Sequence, residues 1–182
     1  MTLTDPKTIH TRRVGFGIIC AEMSTRRSFI DKLCIFVATG FGIGLVVPFA
    51  PGTFGSAAGV ALAYATSRLE LWLQIVAVLG FALAAIPFCG AAERILGVKD
   101  DGRIAADEWM LFPLAVVGLP LAELPWWAMA VFFAVVRLVD IVKPPPARQL
   151  QALPGGFGVV ADDFAANLYA LAINWSAYLL LF

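Results

Sequence analysis

Charge is what this chain has least of. Only 14% of its 182 residues are Asp, Glu, Lys or Arg, while 60% are hydrophobic; soluble domains carry about 25% charged residues. So few polar groups cannot cover a water-facing surface, and the composition points to an integral membrane protein with one small helical domain. The 13 acids and 13 bases cancel, which leaves no argument for a nucleic-acid partner. Histidine is nearly absent: the one copy, His10, lies in a polar tail, so phosphoryl chemistry built on histidines is excluded. Cysteine is scarce as well. Cys20, Cys34 and Cys89 show no metal-ligand spacing and cannot all pair, so they read as free thiols, two of them buried.

What the chain does have is apolar runs of helical length. Residues 1–32 form a polar, basic tail, mobile or interfacial, with no cleavable signal pattern. Residues 33–182 read as the membrane-embedded domain. Its first stretch, 33–50, is apolar but interrupted by Gly40, Gly42, Gly44 and Pro48. At 1.5 Å per residue it is barely long enough to cross, and it is expected to be a broken or re-entrant segment. A turn, "APGTFGS", follows, and then a small-residue helix over 54–67 whose Gly55, Ser56, Ala57, Ala58 and Gly59 permit close helix contact. Further spans are expected at 71–92, with a kink at Pro87, at 125–142, with Trp126 and Trp127 at headgroup level, and at 164–182. "KPPPARQLQALPGGFG" reads as loop. The fold class is therefore an all-α membrane bundle. The distribution of Lys and Arg between the two sides mildly favours the re-entrant arrangement, with the polar motifs on the cytoplasmic face.

The acids are not scattered. Asp100, Asp101, Asp107 and Glu108 fall in one stretch, Asp140 in a second, and Asp162 with Asp163 in a third. Asp140 stands in the apolar run "VFFAVVRLVDIV", three residues from both Arg137 and Lys143, so the three share a helix face. A charge at membrane depth costs at least ~2.5 kcal/mol, and an ion pair with Arg137 would be the purely structural way to offset it. Gathered carboxylates repel one another unless protonated or bridged. Mg²⁺ is a hard cation that takes oxygen ligands from one or two carboxylates and from phosphate. Arg103, Arg137, Lys143 and Arg148 stand near enough in sequence to grip phosphate oxygens. For Asp162 and Asp163, capping the last helix is the alternative reading.

Four stretches, "APGTFGS" (50–56), "DGRIAADE" (101–108), "VRLVDIVKPPPAR" (136–148) and "GGFGVVADDFAAN" (155–167), are together similar to the motifs of the phosphatidylglycerophosphatase A family of bacterial membrane enzymes. The resemblance implies a Mg²⁺-dependent phosphatase acting on the phospholipid phosphatidylglycerophosphate in the inner membrane. It places the catalytic, metal-holding acids at Asp107, Glu108, Asp140, Asp162 and Asp163. Basic and turn positions carry over to Arg137, Lys143, Pro144, Pro51, Gly52, Thr53, Gly55 and Ser56; Arg103, outside that set, is expected as a further phosphate contact from its place in the sequence alone. Three places depart from the family pattern: "WMLF" after the second motif's acids, "KPPP" in the loop, and Asn167 where glycine is usual. Two alternatives remain beside this reading. A divalent-cation or proton transporter would also carry membrane carboxylates, although there is no inverted repeat. A cysteine phosphatase would use "CAEMSTR", from Cys20 to Arg26, but that string lacks glycine and so short a match arises easily by chance. Protein partners are not indicated.

Overall fold

The computed structural model describes residues 28–46 and 51–182, and every regular element among them is helical. The elements are α1 (Phe29–Ala38), α2 (Ile43–Val46), α3 (Pro51–Thr66), α4 (Leu71–Leu96), α5 (Ala106–Leu111), a 3₁₀ turn (Phe112–Val116), α6 (Trp126–Val142), α7 (Ala147–Leu150) and α8 (Gly156–Leu181). His10 and the Cys20–Arg26 string lie outside the described residues. Of the described thiols, Cys89 is buried and Cys34 half-buried, both of them free; Cys20 lies outside the described residues.

The first apolar stretch is broken, as its glycines demand. α1 stops where Gly40, Phe41 and Gly42 take positive φ of 61°, 60° and 88° in succession. Glycine enters that region at little cost, whereas Phe41 is held there against its preference; its ring rests on Trp109 at 5.2 Å. Ten residues of α1 rise only about 15 Å, half of a bilayer's hydrocarbon core. The expected turn at 50–56 is a helix from Pro51 onward, because proline suits a first helical turn. On α3, Gly52, Gly55 and Gly59 lie on one face. A Cβ on Gly55 would stand 2.8 Å from the Ala105 side chain, and one on Gly59 would stand 2.5 Å from Phe112. The glycine stripe is what lets α3 close against residues 105–112.

Among the described residues two helices are long and apolar enough to cross a membrane, α4 and α8. α4 runs through Pro87 and on past the expected end at 92, stopping where Gly97 turns left-handed (φ 73°) and its N–H reaches the Glu93 carbonyl. Its face of Leu71, Trp72, Ile75, Val76, Leu79 and Leu83 is exposed, an apolar surface that hydrocarbon, not water, would cover. α6 begins just after Pro125 and leaves Trp126 82% exposed, which suits the interfacial belt. α8 starts at Gly156, eight residues before the expected 164. The 143–158 loop holds one short helix, α7, despite its prolines.

Between α5 and α6 the chain runs irregularly through the interior. Phe112, Leu119 and Leu121 are almost fully buried. Side chains satisfy this backbone: Asn174 Nδ2 donates to the Ala115 carbonyl (3.0 Å), Trp175 Nε1 to that of Val117 (3.1 Å), and the Gly118 N–H donates to Gln74 Oε1 (2.9 Å). Non-helical backbone is tolerated at membrane depth only when it is met in this way.

α4 and α8 touch backbone to backbone at Gly90 and Gly156; a Cβ on Gly156 would come within 2.6 Å of the Gly90 nitrogen and collide with the Ile86 carbonyl. Backbone cannot swing aside, so Gly156→Ala is expected to cost about 1–3 kcal/mol and to lower the thermal midpoint in detergent. A variant melting together with the wild type would show that these helices do not cross so closely.

Candidate functional site

Five acids and two bases from three separate elements gather in one place, and ion pairs connect all of them but Asp107. α5 contributes Asp107 and Glu108, the end of α6 contributes Arg137 and Asp140, and Lys143 follows as the left-handed residue (φ 44°) that closes α6. Asp162 and Asp163 come from the second turn of α8, and both are buried. Because α8 starts six residues earlier, at Gly156, neither aspartate can cap it, and the capping reading is overturned.

Glu108 Oε2 accepts hydrogen bonds from Ser56 Oγ (2.9 Å) and Arg137 Nη1 (2.8 Å), and Arg137 Nη1 also donates to Ser56 Oγ (3.2 Å). The same guanidinium nitrogen pairs with Asp140 Oδ2 at 3.0 Å. Asp140 Oδ1 then lies 3.7 Å from Lys143 Nζ, which pairs with Asp163 Oδ1 at 3.2 Å and also with Asp162 Oδ2. Asp140 therefore joins an arginine half to a lysine half. The expected Arg137–Asp140 pair exists, but it is one link in a chain.

Burial sets the electrostatics. It pushes the Asp107 carboxyl well above the ordinary range, and the neighbouring charges of Glu108, Asp100, Asp162 and Asp140 add to it. Glu108 is raised from 4.5 to about 7, burial outweighing the opposing pull of Arg137. At Lys143 burial works against the charge, yet Asp163, Asp162 and Asp140 more than offset it and raise its pKa. Five acids against two bases leave a formal excess of negative charge at this spot.

Some oxygens here have no partner. Asp107 Oδ1, Asp162 Oδ1 and Asn167 Oδ1 are buried without a hydrogen bond, a costly condition for such atoms. Among the described residues no three acidic, histidine or cysteine side chains form a ready-made metal centre; Lys143 Nζ stands among Asp140, Asp162 and Asp163 instead. The donor set, orphaned carboxylate oxygens in negative excess, fits a hard divalent cation in its chemistry.

The remaining expected residues fall differently. Gly52 is buried against the Glu108 carboxylate, which any Cβ there would strike, and Gly55 against Ala105; their evident role is close approach. Thr53 is half-buried near the start of α3. Arg103 is not brought to the group: its Nε and Nη2 donate to the two oxygens of Asp101 at 2.7 and 2.6 Å, which lowers the Asp101 pKa. Two residues went unnoticed in the sequence. Glu93 Oε1 accepts the Asp100 N–H (2.8 Å), and Gln151 Nε2 donates to Asp100 Oδ2, tying the 99–103 loop to the loop before α8. Nothing in spacing marked Gln151. Asn167, flagged only as a departure, donates from Nδ2 to the Asp163 carbonyl at 2.9 Å.

Glu108 gives stability a pH dependence. Below pH 4.5 both folded and unfolded chains hold its proton, and between 4.5 and about 7 only the folded chain does. Metal-free protein should therefore lose stability as pH rises through that window and level off above it. Glu108→Gln, which cannot ionise, should flatten the decline in melting temperature; an equally steep decline in the variant would assign it to other groups.

The family model described as Phosphatidylglycerophosphatase A matches residues 36–178. The chain is 36% identical over 141 residues to the Haemophilus influenzae protein named Phosphatidylglycerophosphatase A, covering 75% of this chain and 83% of that one. Against the Escherichia coli protein of the same name it is 32% identical over 139 residues, 75% of this chain and 78% of that one. A Bacteroides thetaiotaomicron protein named "Putative phosphatidylinositol-3-phosphatase" is 33% identical over 153 residues, 81% of this chain and 93% of that one. No solved structure matches. With the family model spanning most of the chain, and relatives at this identity, the protein belongs to the phosphatidylglycerophosphatase A family.

Proposed function

We propose that this chain hydrolyses the terminal phosphomonoester of phosphatidylglycerophosphate, giving phosphatidylglycerol and phosphate, at the cytoplasmic surface of a bacterial inner membrane that it crosses more than once. The observation that carries this reading is the largely buried group of four carboxylates, Glu108, Asp140, Asp162 and Asp163, linked through Arg137 and Lys143, with Asp107 beside them, in a chain of this family.

Asp107, Glu108, Asp140, Asp162 and Asp163 would hold Mg²⁺, the unpartnered Asp107 and Asp162 oxygens being the readiest donors. When bound, Mg²⁺ supplies positive charge to the phosphoryl oxygens. Arg137 presents a planar fork of N–H groups suited to two phosphate oxygens, and Lys143 a compact charge for a third. Both hold carboxylates in this structure, and they would be free to meet phosphate oxygens once those carboxylates were neutralised. Ser56 fixes the Glu108 carboxylate through its 2.9 Å hydrogen bond. A water oxygen bonds to phosphorus as it gives a proton to a carboxylate of the group, the ester P–O bond breaks, and that proton passes on to the leaving glycerol oxygen. The acids gather in one group instead of lining a path across the bilayer, and the transport alternative draws no support from them.

Purified protein should release phosphate from phosphatidylglycerophosphate with Mg²⁺ and stop when EDTA is added. Asp140→Asn should lower kcat by about 100-fold or more while the helical circular dichroism stays unchanged. Full turnover in chelator, or near-normal turnover by the variant, would overturn the assignment. Because one relative's name points to an inositol lipid, phosphatidylinositol 3-phosphate belongs in the same assay; faster release from it would reassign the headgroup.

A further inference from the structure

α8 carries its aspartates inward and an apolar, furrowed face outward. Two grooves flank that face. One, of about 370 Å³, runs between α4 and α8, with Leu83, Ile86, Leu150, Phe157, Ala161 and Phe164 among its walls. The other, of about 400 Å³, lies between α8 and the 144–146 loop, against Pro146, Tyr169 and Ala172. Ala165 and Leu168 border both, so they form a common ridge. Each volume lies in the range of small-molecule sites, about 300–1,000 Å³.

Resting on the lipid-phosphatase reading above, we infer that these two grooves seat the two acyl chains of the diacylglycerophosphate-type substrate, one on each side of the Ala165–Leu168 ridge. Length supports it. From Asp163, level with the polar group, to Ala172 at the far end of the second groove the helix rises about 14 Å, close to the hydrocarbon depth of one leaflet, about 15 Å. Continuity with the polar group supports it too. The second groove begins at Pro146, three residues beyond Lys143, and Tyr169 Oη donates to the Pro145 carbonyl (2.7 Å), fastening that loop to the groove wall. A lipid with its chains astride the ridge therefore has its phosphate end beside the loop that carries Lys143. Exposed Leu83, Phe157 and Leu168 make the grooves continuous with the apolar surface that meets the bilayer. Substrate then reaches the site sideways from its own leaflet without leaving the membrane.

Ala161→Trp and Ala172→Trp each fill one groove without touching the polar group. For a long-chain substrate in mixed micelles, KM should rise about tenfold with kcat unchanged, and hydrolysis of the dihexanoyl analogue should be unaffected. No change with the long-chain substrate, or equal losses with both substrates, would overturn the inference. A second measurement is independent of turnover. A phosphomonoester lipid carrying a mid-chain diazirine should crosslink to groove residues of the wild type in EDTA, and excess unlabelled phosphomonoester lipid should compete where phosphatidylcholine does not. Equal competition by phosphatidylcholine would mean that the grooves hold bulk lipid and would sink the proposal. If the wild type released no phosphate from any lipid while selective crosslinking persisted, the phosphatase reading would fail and the grooves would stand.

Discussion

Carboxylates of like charge, buried together, drive one another apart unless something stands between them. Here Arg137 and Lys143 are that something, and the architecture around them exists to bring them there. Asp140 carries the arrangement, because it alone touches both bases. Truncating one partner of such a network leaves an uncompensated buried charge, which costs far more than the net worth of the intact pair. The left-handed Lys143 that ends α6 turns its ammonium toward α8, and the glycine stripe of α3 brings Ser56 to Glu108. Each of these local features matters because the charges would otherwise be unmet.

Much of this was visible in the residues. The i, i+3 spacing of Arg137, Asp140 and Lys143 foretold a shared face, and the glycines at 40, 42 and 44 foretold the break in the first apolar stretch. Helix starts were less legible. Glycine and proline at 51–56 and 154–158 read as turn, because local propensity speaks against helix there; tertiary packing decided otherwise, of Gly52 and Gly55 against the Glu108 and Ala105 side chains and of Gly156 and Gly158 against backbone. That error placed Asp162 and Asp163 at a helix end, when they lie inside it. Arg103 illustrates the opposite limit. Sequence proximity grouped it with the phosphate grip, while Asp101, two residues away, holds it by geometry that no spacing rule encodes. Gln151 reaches Asp100 across 51 residues of sequence, and Glu93 accepts the Asp100 amide from the last turns of α4, pairings that no spacing rule announces.

α8 shows how one helix serves two solvents. Asp162, Asp163, Asn167 and Asn174 are buried, while Phe157, Leu168, Ile173 and Leu179 are exposed. The polar side chains point to where partners or ions can satisfy them, and the apolar ones to where none are needed. The hydropathy of the segment as a whole is thus a compromise between faces with opposite requirements.

The irregular passage from Phe112 to Leu121 has a consequence for biogenesis. Its carbonyls at Ala115 and Val117 are met by Asn174 and Trp175, and its Gly118 amide by Gln74, so its hydrogen bonds come from helices synthesised both before and after it. Until the C-terminal helix has emerged and taken its place, those groups have nothing but water to bond. The middle of the polypeptide therefore cannot complete its hydrogen bonds until the last helix has packed against it, and its folding must end late.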